Sequence, residues 1–210
     1  MKYIETPDGS LTAFSERFGQ AYSSVHGARS QATTVFVEGT GTRLHPDPRV
    51  LEVGFGLGHN FRATLASRAA HAPLSYLAFE FDPVARSVLE RVSNEQDAFW
   101  QIVVRAWQPP LRVEDDGKSL EVRLEDVTNA TLPEAWATAV YLDGFSPTAN
   151  PDVWASPFLA RLASSMASGG VLATYSSAGA VRRGLQGAGL IVEKRRGLRG
   201  KREFLVAVKP

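Results

Sequence analysis

An apolar stretch, Arg49–Phe55, runs directly into glycines at every second position: Glu52-Val53-Gly54-Phe55-Gly56-Leu57-Gly58. Apolar residues at 50, 51, 53 and 55 read as a short buried strand, and the glycines that follow read as a turn into a helix. Glycine tolerates unusual dihedrals and lets a ligand lie close to the main chain. In open α/β sheets, ligands bind outside the carboxyl ends of the strands, where such a turn sits. The spacing sorts the ligands. A dinucleotide fingerprint needs glycines at the first, third and sixth positions, and the sixth here is His59. Gly-x-Gly-x-Gly after an acid, Glu52, suits S-adenosylmethionine better, because that ligand presents an ammonium rather than a pyrophosphate. An ordinary tight turn also fits the motif taken alone.

The rest of the chain supports an α/β reading. Asn60 is a candidate cap for a helix over 61–70. Leu74–Phe79 reads as a second strand closed by Glu80, and Pro83 suits the first position of a helix reaching Ser93. A further helix is expected over 97–107, a turn at Asp115-Asp116-Gly117 and an alternating strand over Leu120–Leu124. Ala139–Leu142 is a strand running into Asp143, and helix 157–167 stops at Gly169-Gly170 before strand 171–175. Helix 178–187 then precedes two strands without a helix between them, Ile191–Arg195 and Glu203–Val208. Strands separated by helices imply a mostly parallel sheet covered on both faces, and the closing pair adds one antiparallel edge strand. That is the class I S-adenosylmethionine-dependent methyltransferase arrangement: Rossmann-like and doubly wound, expected over 49–210. Residues 1–48 read as a small β appendage, with Tyr22-Ser23-Ser24, Gly27 and Thr33–Val37 placed to cover the ligand crevice.

Acids at the ends of successive strands strengthen the cofactor reading. Glu80 is placed to accept both ribose hydroxyls with its two oxygens, and Asp126, closing the third strand, to accept from the adenine amino group. A solvated strand-end acid remains the alternative at both positions. Beyond the fourth strand, Leu142-Asp143-Gly144-Phe145-Ser146-Pro147 echoes the acceptor loop of amine-directed nucleic-acid methyltransferases. There a polar head orients a nitrogen lone pair and an aromatic ring stacks on the base; a buried turn with a satisfied Asp is the bland alternative. Asp143, with an unperturbed pKa near ~4, is better suited to orient an amine than to deprotonate an ammonium.

Composition limits the chemistry. With no cysteine, disulfides, cysteine-ligated metals and thiol nucleophiles are excluded. The four histidines lack ligand spacing, so no metal is expected. No signal peptide and no membrane span is visible, and a reducing cytoplasm is the expected location. Charge is uneven: residues 180–210 carry a net +7 and the first 179 a net −6. A cationic end on an acidic body fits either a polyanionic partner or a solvated surface. Arg182, Arg183, Arg199, Lys201 and Arg202 are the candidate phosphate contacts.

Three stretches resemble the methyltransferase half of MnmC, a family of bacterial bifunctional tRNA-modifying enzymes. They are Glu52-Val-Gly-Phe-Gly-Leu-Gly-His-Asn-Phe61, the run from Leu142 to Trp154, and Thr174–Gly189, joined by Phe18-Gly-Gln-Ala-Tyr-Ser23 and Gly200-Lys-Arg-Glu203. The resemblance implies methyl transfer to the primary amine of 5-aminomethyl-(2-thio)uridine at tRNA position 34. Asp143 and Phe145 would hold the acceptor, Asn60 and Phe61 would join the cofactor site, and Tyr22, Ser23 and Pro147 would meet tRNA. The family's flavin-dependent oxidase half has no counterpart here, so no FAD is expected, and other wobble-uridine enzymes must supply the aminomethyl group. The rivals are a small-molecule amine methyltransferase or aminopropyltransferase, an NAD-dependent oxidoreductase disfavoured by His59, and a non-catalytic RNA-binding module with a relict cofactor site.

Overall fold

A computed structural model describes residues 1–69, 71–93, 97–197 and 203–210. Its centre is an eight-stranded sheet in the order β10-β11-β9-β8-β4-β5-β7-β6. The strands are β4 (Arg49–Val53), β5 (Leu74–Glu80), β6 (Leu111–Asp115), β7 (Lys118–Leu124), β8 (Ala137–Leu142), β9 (Met166–Thr174), β10 (Ile191–Arg196) and β11 (Glu203–Val208). β4 pairs in parallel with β5 and β8, β5 with β7, and β8 with β9. The carboxyl ends of β4, β5, β7, β8 and β9 therefore lie along one rim. The expected antiparallel strand is β11, and it lies one place in from the edge, between β9 and β10. β6, absent from the sequence reading, forms a hairpin with β7 through Asp116-Gly117 and makes the far edge.

Successive residues of a strand face opposite sides, and here both sides are buried. Val50, Tyr76, Ala78, Leu120 and Tyr141 join one core, whereas Leu51, Leu77, Phe79, Val140 and Leu142 join the other. The first core is covered by α2 (His59–Ala66), α3 (Arg86–Val92) and α4 (Ala98–Ala106), through Phe61, Leu89 and Trp100. The second is covered by α5 (Ser156–Ser165) and α6 (Gly179–Gly187), through Leu159, Leu162 and Leu185.

Several boundaries move for local reasons. α2 starts at His59 with Gly58 as its cap, because Asn60 spends its amide elsewhere. α3 starts at Arg86 rather than Pro83, since residues 81–85 turn back along the rim with the Asp82 amide bound to Glu80. Asp97 caps α4 by accepting from the Trp100 amide at 2.9 Å. Gly169 and Gly170 lie inside β9, not beyond a helix; the β8–β9 register slips there, and a Cβ on Gly170 would meet the Ala137 carbonyl at 2.8 Å.

The N-terminal segment forms a three-stranded antiparallel sheet, β1 (Tyr3–Glu5), β2 (Leu11–Ser15) and β3 (Gln20–Ala21). Thr33–Val37, expected as β, is helical: α1 (Ala28–Gln31) continues as a π-type helix over Ala32–Glu38. Burial overrides the β-branched propensity there, because Phe36 packs 5.4 Å from Tyr141 in the first core. No described helix is long and apolar enough to cross a membrane.

Candidate active site

The rim encloses a cavity of about 310 Å³, within the range typical of small-ligand sites. Gly54–Leu57, Glu80–Asp82, Glu125–Val127 and Asp143–Phe145 contribute from the ends of β4, β5, β7 and β8. Arg17, Phe18, Tyr22 and Ser23 line it from the N-terminal segment.

Glu80 is buried, and its two oxygens accept from the backbone amides of Gly56 and Asp82, each at 2.9 Å. Each oxygen keeps a further lone pair for a diol. Burial raises its pKa against those amide bonds. Gly56 has φ +53°, and a Cβ there would sit 3.2 Å from the Tyr22 ring, so glycine lets the lid close onto the turn. Gly54 borders the Asp143 carbonyl. Gly58 is a packing glycine outside the cavity lining: a Cβ would meet Trp100 at 2.8 Å.

Glu52 lies outside the cavity lining. It is fully buried behind the wall, accepting from Asn60 Nδ2 at 2.8 Å and from the Tyr76 hydroxyl at 2.9 Å. Desolvation holds its pKa well above the carboxylate range. Asn60 Nδ2 also donates to Asp143 at 2.7 Å. One amide nitrogen thus uses both hydrogens to tie β4 to the loop after β8, and Asp143 is the carboxyl of this network that reaches the cavity. Phe61 likewise lies behind the wall, buried among Phe55, Tyr76, Phe99 and Trp100. Asp126 lines the cavity, but its carboxylate is largely spent in its own turn, accepting from the Thr128 amide and hydroxyl and from Asn129.

Burial pushes the Asp143 carboxyl up to about 8, against the lowering effect of Asn60. Desolvation thus sets this carboxyl apart from the unperturbed value near ~4 expected of it from the sequence. The loop around it is fixed from three sides. The Trp154 indole donates to the Phe145 carbonyl at 2.8 Å and the Tyr175 hydroxyl to the Gly144 carbonyl at 2.9 Å. From the lid, Gln20 Nε2 donates to the Ser146 hydroxyl at 2.6 Å and Gln20 Oε1 accepts from the Ser146 amide at 3.2 Å. Phe18 stacks on Phe145 at 4.1 Å between centroids, and Arg17 pairs with Asp82 at 3.3 Å.

Among the expected RNA contacts, Tyr22 and Ser23 line the cavity, whereas Pro147 lies beyond the lining in the same turn. Arg182 and Arg183 are exposed on α6. Arg199, Lys201 and Arg202 fall outside the described residues. Gln20, Phe18, Tyr76, Trp154 and Tyr175 were not singled out as site residues. Gln20 and Phe18 nevertheless lie in the 18–23 stretch, and Trp154 ends the acceptor-loop run, so only their partners were hidden. Among the described residues no cluster of ligating side chains could hold a metal ion.

This geometry belongs with what is similar to the chain. The profile of a family described as S-adenosyl-L-methionine-dependent methyltransferase matches residues 90–210, and the chain belongs to that family. The tRNA 5-methylaminomethyl-2-thiouridine biosynthesis bifunctional protein MnmC of Ralstonia nicotianae is 36% identical over 97% of this chain and 34% of its own length. MnmC of an Acidovorax species is 36% identical over 93% of this chain and 34% of its own. The chain therefore spans about a third of the length of these curated relatives. The crystal structure of MnmC2 from Aquifex aeolicus superposes with a TM-score of 0.80 at 25% identity, covering 100% of this chain and 72% of that one. Spermidine synthase from Thermotoga maritima shares the fold alone, with a TM-score of 0.63 at 14% identity over 99% of this chain and 68% of its own. The expected resemblance to MnmC thus holds over nearly the whole sequence.

Proposed function

We propose that this chain transfers a methyl group from S-adenosylmethionine to the primary amine of 5-aminomethyl-(2-thio)uridine at the wobble position of tRNA. The observation that carries this reading is Asp143, a cavity-lining carboxyl raised to about 8 and set two residues from the ring of Phe145. The names of the relatives support the substrate.

When bound, S-adenosylmethionine supplies an electrophilic sulfonium methyl. The chain's own residues bind and orient around it. Glu80 accepts the ribose hydroxyls with its free lone pairs, Gly54 and Gly56 admit the ligand to the main chain, and Asp126 borders the adenine end beside apolar Val127. Asp143 accepts a hydrogen bond from the neutral acceptor amine and points its lone pair at the methyl carbon. Methyl transfer would leave the nitrogen cationic, and Asp143 would take the proton it sheds. A carboxyl near 8 is better matched to an amine near ~10 than one near ~4. Placing the amine within about 3–3.5 Å of the carbon supplies much of the acceleration. Phe145 stacks on the uracil, a contact of about 1–3 kcal/mol.

In this reading residues 1–48 are a cover over a site carried by 49–210. Tyr22, Ser23, Pro147, Arg182 and Arg183 are the tRNA contacts of this reading among the described residues, and the charge of Arg199, Lys201 and Arg202 in the sequence suits the same partner. Methyl transfer itself draws on no flavin and no metal; other wobble-uridine enzymes make the aminomethyl group, in the cytoplasm. The test is single-turnover transfer of labelled methyl to tRNA carrying the aminomethyl group, with unmodified tRNA beside it. Equal labelling of both, or labelling of neither, sinks the proposal.

A further inference from the structure

A second cavity, of about 680 Å³, runs along α2 on the far side of His59. Its floor is apolar, with Leu11, Val37, Ala63 and Val92. Among the described residues, its lining carries Arg29, Arg43, Arg62 and Arg91 and one acid, Glu38. Arg29, Arg43 and Arg91 are exposed, and among the described residues none of the three forms an ion pair. Arg91 lies 4.7 Å from the centre of the Tyr3 ring. An aromatic face holds a guanidinium in place without neutralising its charge.

His59 is the shared wall of the two cavities. Its Nε2 donates to the Leu11 carbonyl at 3.0 Å, and its Nδ1 accepts from the Ser23 hydroxyl at 3.2 Å. Burial, with Arg62 beside it, lowers its pKa to about 3, so the ring is neutral and adds no charge of its own. The basic groove therefore opens one side chain away from the cavity that holds Asp143. It lies on the α2 face of the sheet, opposite the α6 face that carries Arg182 and Arg183.

We infer that this groove binds the phosphodiester backbone of the RNA that presents the acceptor amine, at nucleotides flanking the methylated one. The inference rests on the RNA reading of the active site. Guanidinium forks match phosphate oxygens in geometry and charge, and an apolar floor suits riboses and base faces. A small-molecule amine confined to the first cavity has no use for the exposed Arg29, Arg43 and Arg91 beyond His59.

The test uses the full chain with the paired substitution Arg29→Gln/Arg91→Gln, the conservative Arg29→Lys/Arg91→Lys, and tRNA binding measured across a salt series. Each lost phosphate contact lowers the slope of log K against log salt by about 0.7–0.9. The Gln pair should flatten the slope by about 1–2 and raise KM for aminomethyl tRNA at least tenfold. S-adenosylmethionine affinity and melting temperature should stay near wild type, and the Lys pair should keep most of the slope. An unchanged slope in the Gln pair overturns the groove whether or not the wild-type chain methylates. Absence of methylation with a groove-dependent slope overturns the active-site reading instead. Inorganic phosphate or polyglutamate competing as well as an RNA of equal charge would assign the groove to a free anion or an acidic protein, and would also overturn it.

Discussion

The two sides of the cavity are held by different means. On the cofactor side, the contacts are short in sequence: Gly56 with Glu80 across 24 residues and Asn60 with Glu52 across 8. Adjacent strand ends deliver these groups to one another as soon as the sheet forms. On the acceptor side, Ser146 is held by Gln20 across 126 residues and Asp143 by Asn60 across 83. Half of that clamp comes from outside the sheet, through the docked N-terminal segment. The cofactor side is thus preorganised by the fold, whereas the acceptor side is completed by a lid, and the two should be separable by mutation.

The most damaging separation is Asp143→Asn. It should lower kcat by about 10²–10⁴, the range for a positioned proton acceptor, with cofactor affinity largely retained in a calorimetric titration. In the wild type, kcat/KM should rise with pH through about 8, as Asp143 loses its proton, and the variant should lose that limb. A variant with the wild-type limb would assign it to another group.

Next in size, Glu80→Ala removes the proposed ribose acceptor and should weaken S-adenosylmethionine binding by about 1.5–3 kcal/mol. Its tRNA affinity should be untouched, and a parallel loss of tRNA binding would erase the distinction between the two sides. Smaller again, Gln20→Ala removes both lid bonds to Ser146 and should cost about 1–2 kcal/mol. That loss should appear as roughly a tenfold higher KM for tRNA, with cofactor affinity within about twofold. Equal losses for both ligands would mean that the lid supports the whole cavity.

A further effect is on stability. Glu52 and Asp143 hold protons in the folded chain well above the pH at which an unfolded chain releases them, near ~4. The native state therefore binds more protons across that interval, and stability should fall as pH rises from about 4 through about 8. Asp143→Asn removes its share, so the fall in melting temperature between pH 5 and pH 8, measured by calorimetry, should shrink by a few degrees for each ~1 kcal/mol. A profile as steep as wild type would place the excess proton elsewhere.

What the sequence revealed follows the same division. The glycine turn, Glu80 and the Asp143–Phe145 loop were legible because strand ends and turns have local signatures. The sheet and its antiparallel closing strand were legible for the same reason. Glu52 was legible as a strand-end acid, but its direction was not: side chains alternate along β4, and Glu52 points toward α2, where Asn60 and Tyr76 claim it. Thr33–Val37 misled because β-branched residues favour strands until a core, here around Phe36 and Tyr141, demands a helix. β6 escaped because its apolar residues, Leu111 and Val113, are too few to stand out from a loop. The clamp of Gln20 on Ser146 has no local signature at all.

The outer edge of the sheet carries one more consequence. β10 pairs on one side only, with β11, and is exposed over nearly its whole length, with Ile191 at 66% exposure. Such an edge can be extended by a strand from another molecule. Along it stand Glu193, Lys194, Arg195 and Arg196, with Lys194 bonded to Glu203 at 2.8 Å and Arg195 to the Gly39 carbonyl at 3.0 Å. Lys194 pairs with Glu203 and Arg195 with Glu193, and the excess positive charge left along the ribbon makes its pairing with a second copy of itself less favourable. Neutralising Lys194, Arg195 and Arg196 should therefore make the protein self-associate and lose solubility at high concentration, independently of any effect on nucleic acid. A share of the basic character at this end of the chain is protection of the sheet's own margin.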